Sequence, residues 1–145
     1  MVITSLLHPS VLDSRRMQGA AYLLVIAAWL LTGVIKGIPL FAGVRDLPDA
    51  LFGLLLELAG SAAVYILILA AGAKKPVISG VLLLFFTIIG FLAMPSYFMP
   101  GHSLDGNSIA RVVFIGLLGI QATAAVLFFL SARRGSEPVE ITAEI

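Results

Sequence analysis

The chain has 145 residues, of which 60% are hydrophobic and only 12% are charged, and its formal net charge is +1. Soluble domains carry about 25% charged residues, so this composition predicts an integral membrane protein with a single domain. The sequence contains no cysteine, which excludes disulfides, thiol redox relays and thiolate metal sites. The small net charge gives no reason to expect nucleic acid as a partner.

Four apolar segments are long enough to cross a lipid bilayer, which takes about 20 residues per helix. They cover residues 19–40, 51–72, 77–94 and 109–132. Helix-start signals precede the last three segments, namely Asp46 with Pro48, then Pro76, then Asn107 or Ser108. The sequence therefore predicts an all-α fold, a four-helix transmembrane bundle over residues 19–134.

The ends of the spans and of the chain are also predictable. Pro39 and Pro95 are expected to end the first and third spans, because proline breaks the helical hydrogen-bond pattern. Residues 1–18 are expected to form a separate cytoplasmic or membrane-surface segment. Residues 135–145 carry three glutamates and are expected to form a disordered acidic tail.

Three pairs of basic residues indicate the orientation of the spans. They are Arg15–Arg16, Lys74–Lys75 and Arg133–Arg134. Cytoplasmic loops are enriched in lysine and arginine, and these pairs share one face only if both termini are cytoplasmic. The third span has only Ser79 and Thr87 as polar residues, so we expect it to be the helix most exposed to lipid or to a partner.

Two charges lie inside the apolar segments: Lys36 near the end of the first span and Glu57 early in the second. An ionised side chain in hydrocarbon costs about 2.5–3.5 kcal/mol on insertion scales. With a rise of about 1.5 Å per residue, both charges fall in the outer third of the bilayer on consecutive antiparallel helices. We expect them to meet, either as a structural ion pair or within a polar ligand site, the alternative being an unpaired Lys36 that extends to the headgroups.

Small residues surround both charges. Gly33 and Gly37 bracket the lysine at the spacing that lets helices approach closely, while Gly53 and Gly60 share a face with the glutamate. All four glycines are therefore predicted to pack against neighbouring helices. Trp29 lies at mid-span, although tryptophan prefers the membrane interface, which indicates a packing role or a pocket wall.

Two further polar residues could join the charged pair. Gln121 lies near the middle of the fourth span, and it is expected to hydrogen-bond another helix more often than to contact a ligand. Arg111 lies at the outer mouth of the same span and is expected to approach Glu57 from above. His102 and Asp105 are too few ligands for a metal, so neither a metal nor a cofactor is predicted.

The first two spans resemble those of the DoxX/MauE group of small four-helix membrane proteins. The matching residues are Gly33 with Lys36, then Pro48, then Glu57 with Gly60. Members of this group are associated with membrane redox systems, such as quinone-linked sulfur oxidation and amine-dehydrogenase maturation. The resemblance implies a bacterial or archaeal inner membrane. The chain departs from members with loop cysteines, so their thiol chemistry is not expected here.

Three functions follow as hypotheses. The first is a non-catalytic accessory subunit of a membrane complex, redox-linked if the resemblance holds, with other subunits or further copies of itself as partners. The second is a binding site for a quinone, a lipid or another amphipathic molecule, with Lys36, Glu57, Gln121 and Arg111 as its polar contacts. The third is a small cation- or proton-coupled transporter. No nucleophile–base arrangement or phosphate loop is readable, so an enzyme is not predicted.

Overall fold

A computed structural model describes residues 9–43, 46–102 and 104–136. Its four α-helices are α1 (Pro9–Gly43), α2 (Leu47–Lys74), α3 (Pro76–Tyr97) and α4 (Ser108–Gly135). Each helix contains a stretch that is long and apolar enough to cross a membrane. The described ranges contain no strand, and the predicted all-α class with four long apolar helices is confirmed.

The first helix begins earlier than the apolar run. It is continuous from Pro9, so residues 9–18 belong to the same helix as the first span, and their cytoplasmic or membrane-surface position stays a prediction. Residues 10–18 contain neither glycine nor proline, and proline is compatible with the first turn of a helix. At the other end of the chain α4 ends at Gly135. Residues 1–8 and the predicted tail beyond Ser136 lie outside the described residues.

The two prolines predicted to mark the ends of spans lie close to the ends of their helices without terminating them. α1 continues past Pro39 to Gly43, and α3 continues past Pro95 to Tyr97. Proline removes one backbone hydrogen bond, and this loss is small where only the final turn of the helix follows. After Pro95 the helix closes with a bond from Phe98 N to Pro95 O at 3.3 Å.

The predicted helix starts are at the expected positions. Pro76 opens α3, and Pro48 lies in the first turn of α2. Asn107 caps α4, since its Oδ1 accepts a hydrogen bond from Ala110 N at 2.9 Å. Asp46 occupies the cap position of α2, but its side chain makes no capping hydrogen bond.

Each helix of the bundle packs against two neighbours. α1 and α4 have the most extensive contact, α2 packs along α1, α3 packs along α4, and the contact between α2 and α3 is the smallest of these four. Arg134 Nη1 lies 3.1 Å from Asp13 Oδ2, and Ser14 Oγ donates to Ser131 O at 2.8 Å. The start of α1 and the end of α4 therefore lie at one end of the bundle, here called the terminal end; the opposite end is the loop end.

All four helices converge at the terminal end. A Cβ placed on Gly72 would lie 2.9 Å from both Phe128 and Ser79, and Ser79 Oγ donates to Ile68 O at 2.5 Å. The last contact ties α3 to α2. At the loop end, Leu104 of the connection between α3 and α4 is only 3% exposed and closes the core there.

The most exposed helix is α2, and the prediction for the third span is wrong. Within its most apolar window 6% of the residues of α2 are buried, compared with 17% for α3. α3 carries Ser79 and Gly80, which are buried and let it approach its neighbours closely. α2 instead projects large side chains outward, such as Phe52, which is 70% exposed.

Candidate functional site: a lateral cavity near the loop end

The two charges of the apolar segments are in contact. Lys36 Nζ on α1 lies 2.5 Å from Glu57 Oε2 on α2. Their side chains are 45% and 49% exposed, so the pair joins two neighbouring helices without being sealed inside the bundle. Matching depth on consecutive antiparallel helices was the signal in the sequence that indicated this contact.

Glycines bring α1 and α2 together beside the ion pair. A Cβ on Gly33 would collide with the side chain of Leu58, and Gly37 is buried. Trp29 Nε1 donates to Leu58 O at 3.2 Å, so the mid-span tryptophan fastens the same two helices. These contacts fix the spacing of α1 and α2 on which the ion pair depends.

Two residues of the predicted site lie elsewhere. Gly60 is exposed and a Cβ there would meet open space, so its predicted packing role is wrong. The guanidinium of Arg111 lies 5.1 Å from the centre of the Phe98 ring, and it makes no ion pair with Glu57 within the described residues. The reason is that α4 packs against α1 and α3, which turns the start of α4 away from α2. Gly53 is half-buried.

A chain of hydrogen bonds links three helices on the side of the ion pair that faces the terminal end. Gln121 Nε2 on α4 donates to Tyr65 Oη on α2 at 2.9 Å, and Tyr65 Oη lies 3.1 Å from Thr32 Oγ1 on α1. Thr32 Oγ1 lies 2.9 Å from Ala28 O and donates to it. A hydroxyl has one proton, so Thr32 accepts from Tyr65, and Tyr65 accepts from Gln121. The chain therefore has a single direction, from α4 through α2 to α1.

Tyr65, like Thr32, belongs to this chain of hydrogen bonds and was absent from the predicted site. It follows Glu57 and Ser61 at intervals of four residues, which places the three on one face of α2. Tyrosine prefers the membrane interface, and a tyrosine in the middle of an apolar run needs a partner for its hydroxyl. The spacing and the position together could have identified it.

A cavity of ≈ 450 Å³ opens between the four helices beside this hydrogen-bonded chain. Its walls are largely apolar and include Phe86, Phe114 and Leu118. Its polar lining consists of six side chains: Thr32, Lys36, Ser61, Tyr65, Tyr97 and Gln121. Val64 on α2 and Ile89 on α3 also line it and are 38% and 45% exposed. The mouth therefore lies on the side of the bundle, between α2 and α3, where these helices separate.

The geometry suits the binding of a small amphipathic molecule. Ligand sites usually occupy about 300–1,000 Å³ and combine apolar walls with a few converging polar groups. Lys36 and Gln121 line this cavity, and Glu57 holds Lys36 from the rim. Within the described residues no group of three or more His, Cys, Asp or Glu side chains could hold a metal ion.

Two further grooves lie between α1 and α2 on the outer surface. One, of ≈ 310 Å³, is lined by Trp29 and Ile66, and the other, of ≈ 490 Å³, by Gly33 and Leu54. Both have almost entirely apolar linings, unlike the cavity between the four helices.

No protein-family model, curated protein or solved structure matches the chain. The geometry of the cavity is therefore the basis for assigning a function.

Proposed function

We propose that the protein is a multi-pass membrane protein that binds an amphipathic small molecule in the cavity between its four helices. The observation that carries the proposal is the cavity itself, which is apolar, opens sideways and collects six polar side chains from all four helices. Such a mouth suits a molecule that arrives from within the bilayer. A quinone, a lipid or another amphiphile of that size would fit this description.

The proposed orientation places the terminal end in the cytoplasm, with the inner membrane as its location. Arg15–Arg16, Lys74–Lys75 and Arg133–Arg134 flank the helices at that end, as the positive-inside rule requires. Glu57 lies 17 residues before Lys74 on α2, or about 25 Å along the helix axis. The hydrocarbon core is about 30 Å thick, so the ion pair would lie just below the outer headgroups.

Polar groups would then contact the ligand at two depths. Lys36, held by Glu57, would meet it near the outer headgroups, while Tyr65 and Gln121 would meet it closer to the bilayer centre. Tyr65 is nine residues before Lys74, which corresponds to about 14 Å along α2. A molecule with polar groups at both positions and an apolar body between them fits this arrangement.

Filling the cavity tests the proposal. Ala93 is half-buried on α3 and lines the cavity, whereas Ala59 is exposed on α2 and does not. The wild type, Ala93→Trp and Ala59→Trp proteins would be purified in mild detergent, extracted with organic solvent and analysed by mass spectrometry. We expect an amphipathic molecule to be retained by the wild type and Ala59→Trp and lost from Ala93→Trp. The same retained molecules in all three proteins would contradict the proposal.

A second candidate function is an accessory subunit of a larger membrane assembly. The observation in its favour is the exposure of the Lys36–Glu57 pair beside Phe52 and Leu56, which are 70% and 65% exposed. Charges that border lipid are costly, so a partner helix over this face would be favourable. The partner could be another subunit or a second copy, and a redox-linked complex of the DoxX/MauE kind stays a prediction.

Native mass measurement tests the second candidate. Under mild detergent conditions we expect a mass larger than that of one chain, and a single chain under all such conditions would count against a stable assembly. Leu56→Cys provides a site on this face for cross-linking, and Leu92→Cys on α3 is the matched control, because Leu92 is 72% exposed. Transport coupled to protons stays a weaker prediction, because Glu57 is engaged with Lys36.

A further inference from the structure

We infer that the cavity selects a ligand that carries a neutral hydroxyl group and places it against Gln121, in preference to a ligand with only carbonyl or ether oxygens. The inference rests on the proposed ligand-binding function and assigns the chemical class of the ligand. It depends on the amide of Gln121, which is 7% exposed and lines the cavity.

The direction of the hydrogen-bonded chain fixes which way this amide points. Thr32 donates its proton to Ala28 O, so the hydroxyl proton of Tyr65 goes to Thr32. Tyr65 can then only accept from Gln121, which places the amide nitrogen toward Tyr65. The amide oxygen, Oε1, consequently faces away from the tyrosine.

The amide oxygen has no donor. Gln121 makes no hydrogen bond to the described residues other than the one to Tyr65. No inaccessible side-chain nitrogen or oxygen in the described part of the chain lacks a partner, so Oε1 is accessible. Because Gln121 lines the cavity, a molecule in the cavity can reach this oxygen.

An acceptor without a donor selects for a donor on the ligand. A hydroxyl can donate to Oε1, whereas a ketone, quinone or ether oxygen can only accept, for example from the second N–H of the same amide, and leaves Oε1 without a donor. A cationic amine also donates, but a positive charge is costly in a mainly apolar cavity, and none of the described residues that line it carries a carboxylate. A neutral hydroxyl, as in a phenol or a long-chain alcohol, is therefore the favoured group, with its apolar body against Phe86 and Leu118.

Two probes that differ by one hydrogen-bond donor test the inference. 4-Dodecylphenol carries the hydroxyl, and its methyl ether, 4-dodecylanisole, has the same ring and chain without the donor. Binding to the purified wild-type protein in lipid nanodiscs would be measured with radiolabelled probes. We expect the phenol to bind about tenfold more tightly, as one hydrogen bond to a buried acceptor predicts.

Variants then assign the preference to the cavity and to Gln121. Ala93→Trp should abolish binding of both probes, and Ala59→Trp should leave it unchanged. Gln121→Leu should bring the two affinities together within about twofold, with folding checked by circular dichroism; the comparison of the two probes on the wild type does not depend on this variant.

The possible failures are distinguishable. If both probes bind the wild type with equal affinity and Ala93→Trp abolishes this binding, the hydroxyl preference is overturned. The ligand-binding function is then still supported. If neither probe shows binding that Ala93→Trp abolishes, the cavity does not hold an amphipathic molecule. The proposed function is then contradicted together with the inference. A preference for the phenol that persists in Gln121→Leu would also overturn the assignment to Gln121.

Discussion

At the scale of single residues, Tyr65 joins three helices through one hydroxyl group. It accepts from Gln121 on α4 and donates to Thr32 on α1. A polar group left unpaired in an apolar interior costs about 1–3 kcal/mol, so each member of this chain protects the others from that cost. The network therefore contributes to stability as a unit, in addition to lining the cavity.

Removing the tyrosine hydroxyl should expose this dependence. Tyr65→Phe leaves an N–H of Gln121 without its acceptor, and we expect the free energy of unfolding to fall by about 1–2 kcal/mol. Thr32→Val should have a similar effect, and the double variant should lose less than the sum. Thr123→Val is the control, since Thr123 is exposed on α4. Denaturant titration in mixed micelles measures these values; strictly additive losses would contradict a linked chain.

The ion pair gives a second prediction at this scale. Lys36→Met and Glu57→Gln should each destabilise the protein by leaving the partner charge unpaired, and the double variant should recover part of the loss. We expect a coupling energy of about 1 kcal/mol or more. Pairs in water couple by about 0.2–1 kcal/mol, so a coupling near zero would mean that water surrounds the pair and that it lies outside the hydrocarbon.

The sequence identified some of these residues more readily than others. Lys36, Glu57 and Gln121 stand out because they are polar within apolar runs, and depth along the helices indicated that the charges could meet. Tyr65 does not stand out by composition, because its ring is apolar and only its hydroxyl reveals a role. The position of Arg111 depends on which helices α4 packs against. The pattern of residues within one helix does not show which helices are its neighbours.

At the scale of helices, close contacts at glycine decide which helices touch. At Gly72 on α2, side chains of Tyr22, Ser79 and Phe128 from the other three helices meet its backbone. Gly60, twelve residues earlier on the same helix, has open space around it. Spacing in the sequence cannot separate these two glycines, because both lie within one apolar run and differ only in what the other helices place beside them.

Replacing these glycines by alanine should change stability in opposite directions. Gly72→Ala inserts a methyl group among three side chains, and overpacking of this kind costs about 1–3 kcal/mol. Gly60→Ala meets no neighbour and gains up to about 1 kcal/mol of helix propensity. The sign of each change, measured by thermal unfolding in detergent, is the prediction; stabilisation of the protein by Gly72→Ala would contradict the close contact at the terminal end.

The existence of the four helices was predictable because long apolar runs are a strong signal. The starts of α2, α3 and α4 were predictable as well, but the start of α1 was not, since α1 extends to Pro9 through residues 10–18, which contain neither glycine nor proline, and α1 and α3 continue a few residues past Pro39 and Pro95. The sequence also did not predict that α2 is the most exposed helix. This exposure depends on close packing of α3 against α4 through small residues such as Gly80, whose added Cβ would lie 3.2 Å from Ala125 O.

At the scale of the whole molecule, charge is distributed unevenly between the two ends. The three basic pairs flank the terminal end, where Asp13 pairs with Arg134 at 3.1 Å. The loop end carries Asp46, Asp49, Asp105 and Arg111, which are of mixed sign. This asymmetry is the basis for the proposed cytoplasmic position of both termini.

The lack of cysteine makes this orientation directly measurable. Single cysteines would be introduced as Asp105→Cys at the loop end and Ser136→Cys at the terminal end, both at exposed positions. We expect a membrane-impermeant maleimide to label only Asp105→Cys in intact cells, and both variants after the membrane is opened. Labelling of Ser136→Cys in intact cells would reverse the proposed orientation.

The side opening of the cavity determines which ligand concentration controls how much of the protein has a filled cavity. A mouth between two apolar helices, flanked by Val64 and Ile89, would be filled by molecules diffusing in the plane of the membrane. Occupancy would then follow the mole fraction of the ligand among the lipids, and its concentration in water would matter only through partitioning. Adding lipid at constant total ligand should therefore empty the cavity, while diluting the aqueous phase around a strongly partitioned ligand should leave it filled.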